Sequence, residues 1–360
     1  MTAFDYGNAR LRAMKSRLLD RGRLAMLAEA RDLPALIAGL ADTPYRPSIE
    51  AALTRASGAG VVARALLQDI QATVEKIKRC YPDEAAPALW IILRRYDLHN
   101  LKAVLRGLAR GAAPDSIAEA WLPPGELGEP VLRDLAGLGD VRHAIDRMAT
   151  LRLPFSAPLL ALRGERPGAG LAEMDRALTR WYFHISKSEL AQSGEAAEVL
   201  AEDLDWQADI EDLLTMLRFV HPVASRAAGD SRAAGADGQQ GELRRRLLGE
   251  GRLPPRVLAA AGAEDSVESA VRSLQGTRYG EALRAGFRRF QVSNRLSDIE
   301  VELRGAHLKN RVARFRTDPL GAGVPLGYLA LKTNEIAALR WIARGIAAQL
   351  PAVEIKAGIP

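Results

Sequence analysis

Apolar positions along the chain recur at helical rather than strand spacing, most clearly from Leu93 to Arg110, LRRYDLHNLKAVLRGLAR. One polar residue, Asn100, is followed by Leu101, Val104, Leu105 and Leu108, a stripe that predicts an amphipathic helix. The pattern returns at Asp209, with Ile210, Leu213, Leu214 and Leu217, and more loosely at Glu335, with Ile336, Leu339, Ile342 and Ile346. The apolar anchors at 101, 210 and 336 lie roughly 109 and 126 residues apart, a domain-sized period rather than that of a solenoid. A second echo agrees: Trp121-Leu122-Pro123-Pro124 follows the first run and Arg252-Leu253-Pro254-Pro255 the second. One helical unit used three times would explain both echoes, and so would the general likeness of Leu-rich amphipathic helices.

Pro, Gly and capping residues divide the remainder into helices. Residues 6–19 predict a first helix stopped by Asp20-Arg21-Gly22; Asp32 predicts an N-cap with Pro34 in the first turn. Residues 57–80 predict a longer helix ended by Tyr81-Pro82, because the residue before a proline is pushed out of the α region. Asp83 then opens the helix that carries the first run. Short helices are expected between 112 and 162, long ones over 170–190 and 195–220, one charged segment over 279–315, and two final segments, 319–331 and 333–349. Residues 225–241, SRAAGDSRAAGADGQQG, are poor in apolar side chains and predict a flexible loop or linker. The expected domains are 1–111, 112–224 and 242–360, with 225–241 between the last two.

Composition sharpens this to an all-α chain. Aromatic residues are 5%, alternating β-branched runs are nearly absent, and Ala, Leu, Arg and Glu dominate. With 360 residues, 48% hydrophobic and 26% charged, the chain has enough apolar content for two or three cores. The single cysteine, Cys80, excludes an intrachain disulfide and fits a reducing compartment. The N-terminus is charged within its first five residues and lacks the apolar segment of a secretory signal. The longest uncharged run, 319–331, is about 13 residues, against the roughly 20 that a spanning helix needs. A net charge of +6, carried mostly by Arg, is compatible with an anionic partner or with Arg-rich coding; acidic residues are interleaved with the basic ones almost everywhere.

Catalytic signatures are mostly missing. No Gly-Lys dipeptide occurs, which excludes a Walker-type phosphate loop, and no GxSxG elbow is present. Gly321, Gly323 and Gly327 give GxGxxxG, but an Arg-rich helical segment precedes them where a dinucleotide fold needs a strand, so close helix packing is the better reading. His99, His143, His184, His221 and His307 are dispersed without zinc-ligand spacing. Glu202, Asp205, Asp209 and Asp212 form an acidic stripe that could face water, an Arg-rich neighbour or a divalent cation. Arg304, Lys309, Arg311, Arg314 and Arg316 could grip phosphates, yet they lack the interleaved aromatics of a single-strand binder. No catalytic, cofactor or metal residue is assigned.

Four segments then resemble one family in order. Residues 95–106 are similar to the D-L-x-N-L-x-x-x-L-R segment of the C-type subunits of V/A-type rotary ATPases, themselves similar to the d-type subunit of the eukaryotic vacuolar enzyme, through Asp97, Asn100, Leu101 and Arg106. Tyr6, Asn8, Ala9, Arg10 and Arg12 resemble the family's opening; 205–217, with Asp209, its middle; and 318–342, with Glu335 and Arg340, its C-terminal helix. The 225–241 stretch is a departure. The resemblance implies an all-α funnel of three similar domains with pseudo-threefold symmetry. It implies a peripheral place on the cytoplasmic face of the cell membrane, between the proteolipid rotor ring and central-shaft subunits of D and F type, passing torque with no cofactor and no chemistry of its own. The rival readings are an Arg-rich helical scaffold for nucleic acid and a dinucleotide-dependent enzyme using Gly321 to Gly327.

Overall fold

High Ala and Leu content at 3.6-residue spacing produces helices that bury one stripe each, and the described residues contain nineteen α-helices and no strand. The computed structural model describes residues 3–123, 125–221 and 236–359. In order they form α1 (Asp5–Lys15), α2 (Arg21–Leu27), α3 (Leu33–Ala41), α4 (Arg46–Leu53), α5 (Ala59–Cys80), α6 (Ala86–Ala109), α7 (Pro114–Ala118), α8 (Glu129–Ala136), α9 (Val141–Thr150) and α10 (Ser156–Glu165). There follow α11 (Leu171–Ser188), α12 (Ala197–Val220), α13 (Ala236–Arg246), α14 (Pro255–Gly262), α15 (Val267–Ser273), α16 (Gly280–Ser293), α17 (Ser297–Thr317), α18 (Gly323–Ala347) and α19 (Ala352–Ala357).

Local chemistry sets most boundaries. Asp32 caps α3 by accepting from Ala35 N–H at 2.8 Å, as its spacing predicts. Asp20 does not stop the first helix; it caps the second, accepting from Arg23 N–H at 2.7 Å, and α1 has already ended at Lys15. The expected segment 279–315 is broken by Asn294, which takes the left-handed conformation (φ 54°) and closes α16 before α17 begins. The two expected C-terminal segments are one helix, α18, because Pro325 sits in its first turn, where a missing N–H costs no hydrogen bond. Of 225–241, residues 225–235 lie outside the described residues, and 236–241 begin α13.

The chain divides into two compact units, residues 1–197 with 314–360, and residues 198–313. In the first of these units α18 buries its apolar stripe against N-terminal helices. Ile336, Leu339, Ile342 and Ile346 share a core with Leu24, Leu36, Leu40, Tyr45, Ile49 and Val62. The smaller unit has its own core, in which Ile210, Leu213, Leu214 and Leu217 of α12 meet Leu258, Val271, Leu283, Ile299 and Leu303. Cys80 is a buried free thiol at the end of α5.

Candidate functional site

The polar residue that heads each apolar stripe has one local task in all three places: it accepts the backbone N–H of a leucine that leads into a group of short helices. Asn100 on α6 accepts from Leu122 N–H at 2.8 Å and returns a bond to the Leu122 carbonyl at 3.1 Å. Asp209 on α12 accepts from Leu253 N–H at 2.9 Å. Glu335 on α18 accepts from Leu19 N–H. The leucine that opens each Leu-Pro-Pro echo, Leu122 or Leu253, is thus the residue docked onto the long helix. All three polar anchors are buried, so each side-chain oxygen needs a donor within the protein, and the leucine N–H supplies one.

Around this shared joint the three sites diverge. Asp209 also accepts from the Tyr279 hydroxyl at 2.7 Å and from Arg278 at 3.1 Å. Glu335 accepts from the Tyr45 hydroxyl and from Lys332 at 2.9 Å, and Lys332 reaches Asp69 at 2.8 Å. Burial pushes the hydroxyls of Tyr45 and Tyr279 up, and the adjoining carboxylates push them further, so both remain donors. The tyrosines stand at matching places, Leu40-Ala-Asp-Thr43-Pro-Tyr45 and Leu274-Gln-Gly-Thr277-Arg-Tyr279. In each, the threonine hydroxyl donates to the leucine carbonyl, at 2.6 and 2.7 Å. At α6 the corresponding residue is the buried Phe155, the anchor is an amide, and an acid, Asp97, stands one turn before Asn100.

Asp97 has no cation within ion-pair reach among the described residues; it accepts Gly125 N–H and Glu126 N–H, both at 2.7 Å. Burial raises its carboxyl to about 7, with the backbone donors pulling the other way. Gly125 is required here: a Cβ would fall 2.4 Å from Asp97 Oδ2, just as one on Gly251 would fall 1.8 Å from Asp209 Oδ1. Asp212 binds Leu248 and Gly249 N–H at 2.6 and 2.9 Å, and burial raises it to about 6.

The other residues of the family resemblance also make internal contacts. Leu101 is core, Arg106 pairs with Asp175 at 3.2 Å near the surface, and Arg340 donates to the Trp121 carbonyl at 3.1 Å. Asn8 of the opening motif donates to the carbonyls of Pro319 and Gly321, at 3.3 and 3.1 Å, while Tyr81 holds its oxygen at 2.8 Å. The N-terminal and C-terminal motifs are therefore two halves of one joint.

The acidic stripe meets its basic neighbour: Asp205 pairs with Arg252 at 2.9 Å and Asp209 with Arg278. Among the described residues no group of three His, Cys, Asp or Glu is arranged to hold a metal ion. Arg311, expected as a phosphate grip, is buried in a fork on Asp203 at 2.5 and 2.6 Å, with His307 Nε2 2.7 Å from the same carboxylate. Arg304 is engaged by Glu300 at 2.8 Å. Gly321 to Gly327 open a helix with no strand before them, and Asp318 fills the space over Gly323 by accepting its N–H at 2.7 Å. Sequence reading missed Asp203, Trp206 stacked on His307, and the two tyrosines; the Leu-x-x-Thr-x-Tyr repeat was the signal for the last pair.

These arrangements hold the chain's own backbone and guanidinium groups and present no nucleophile beside a base. The family model described as ATP synthase (C/AC39) subunit matches residues 7–358. The C-type subunit of the A-type ATP synthase of Haloquadratum walsbyi is 25% identical over 354 residues, covering 98% of this chain and 96% of that protein. Proteins of the same name are 27% identical in Thermococcus kodakarensis (94% of this chain, 85% of that protein) and 22% in Methanocaldococcus jannaschii (99% and 86%). The chain belongs to the ATP synthase (C/AC39) subunit family, a non-catalytic family within the rotary ATPases.

Proposed function

We propose that this chain is the connector of a V/A-type rotary ATPase, seating the central shaft, of D- and F-type subunits, on the proteolipid ring at the cytoplasmic face of the cell membrane. It passes torque between them during ATP synthesis or hydrolysis coupled to ion movement. The supporting observation is a family match along nearly the whole chain, combined with long helices whose polar anchors are spent on internal joints. A torque element needs low compliance, and buried joints that fix loops to long helices supply it. No helix among the described residues is long and apolar enough to cross a membrane, which fits a peripheral place.

The threefold plan is part of this proposal. We group α6 with α8–α11, α12 with α14–α17, and α18 with α2–α5, each a long helix, an anchored leucine, two short helices and a closing pair. The third group joins the two chain ends, which accounts for the offset between sequence period and compact units.

Affinity purification of the tagged chain from detergent-solubilised membranes, with mass spectrometry of what is retained, tests the assembly. Recovery of ring and shaft subunits is expected. A clean purification that returns neither, or returns nucleic acid in their place, would overturn it.

A further inference from the structure

Residues 280–296, which form α16 and the turn into α17, contain four arginines and a single acid, Glu281. Arg289 spends its charge on Glu302 at 3.2 Å. Arg284, Arg288 and Arg295 are exposed and form no ion pair with any described residue. Arg284, Arg288 and Val292 follow one another at i, i+4 and i+8, so they share one face of α16, and Arg295 continues past its end. Val292 is 92% exposed, the highest among the exposed large hydrophobic residues described. An isolated exposed valine is ordinary; one set in a row of uncompensated arginines is a different surface.

The edge is held rigidly. The Asn294 N–H donates to the Phe290 carbonyl at 2.7 Å, its side-chain oxygen lies 3.3 Å from His221 Nε2, and the Ser293 hydroxyl donates to Asp298. Phe287 and Phe290 stack with centroids 5.9 Å apart and pack against the core beneath. Little backbone freedom is left to lose on docking.

We propose that this α16–α17 edge is the docking surface for an acidic protein surface within the rotary assembly; the inference rests on the connector reading above. Guanidinium forks match carboxylates in a bidentate geometry, and Arg is the charged residue enriched at protein interfaces. A lipid surface is the poorer occupant, because interfacial helices bury several Trp, Phe or Leu side chains, and both phenylalanines here are already committed to the core.

The test is association kinetics of the full chain with the purified rotary complex stripped of this subunit, at low and high salt. The Arg284→Glu, Arg288→Glu, Arg295→Glu triple variant is compared with Arg55→Glu, Arg110→Glu, Arg256→Glu, three exposed arginines elsewhere giving the same charge change. Equal melting temperatures establish that both are folded. The edge variant is expected to associate at least about tenfold more slowly at low salt and to lose most of the salt dependence of the wild type, with the control variant near wild type. Equal behaviour of the two variants would overturn the proposal, as would an edge variant that docks normally but no longer binds anionic phospholipid vesicles. A wild-type chain that fails to bind the stripped complex at all would sink the connector reading and this inference together.

Discussion

Asp97 is the most exposed to pH of the internal joints, because the anchor acids Asp209 and Glu335 sit beside Arg278 and Lys332 while Asp97 relies on backbone N–H groups alone. Its carboxyl is raised from 3.8 to about 7, so between those values the folded chain holds a proton that the unfolded chain has released. The stability contributed by this group is therefore greatest at acid pH and is lost as pH rises toward 7, by up to about 4 kcal/mol at roughly 1.4 kcal/mol per unit. Asp97→Asn, which cannot ionise, should be less stable than wild type at pH 5, where one N–H loses its acceptor. The gap should narrow at pH 8, and urea unfolding at the two values measures it. A gap that widens with pH would contradict this account of the site. Gly125→Ala should destabilise at every pH by about 2 kcal/mol or more, since its Cβ would displace the buried carboxylate that satisfies two backbone donors.

At the scale of elements, α12 and α17 are joined by the buried Asp203, which takes both arms of the Arg311 fork and a bond from Gln207 at 2.8 Å. Removing the acid alone leaves a buried guanidinium unpaired, so Asp203→Ala should cost about 3–5 kcal/mol, read by chemical unfolding. Asp203→Leu with Arg311→Met should recover most of that loss. If the double variant is no more stable than the single, the buried charge is not the cause. Helix identity and the three apolar stripes were legible in sequence because they depend on spacing alone, and Asp32 was legible because an N-cap acts within three residues. The break at Asn294 was hidden, since both flanking segments carry the same charged pattern. The merger of 319–331 with 333–349 was hidden because a proline in a first turn reads like a boundary. Asp203 and Arg311 lie 108 residues apart, and nothing local to either announces the other.

For the molecule as a whole, the decisive feature is that α18 completes the N-terminal core: Glu335 anchors Leu19 and Tyr45, and its apolar face lies against Leu36, Leu40 and Ile49. Truncation after residue 317 should therefore release α2–α4, over two hundred residues distant in sequence, as loss of hydrogen-exchange protection there. Protection of α14 and α15, whose core is separate, should survive. The sequence period is domain-sized, but the last repeat shares its core with the first helices of the chain, a closure no linear pattern reveals. The measurement closest to the central claim is ATP hydrolysis and ATP-driven ion pumping, followed together in membranes from cells lacking this chain, with purified chain added back. A connector without chemistry of its own predicts that hydrolysis by the catalytic sector persists, that pumping is abolished, and that add-back restores it. Pumping that continues at the normal ratio to hydrolysis without the chain would contradict the account.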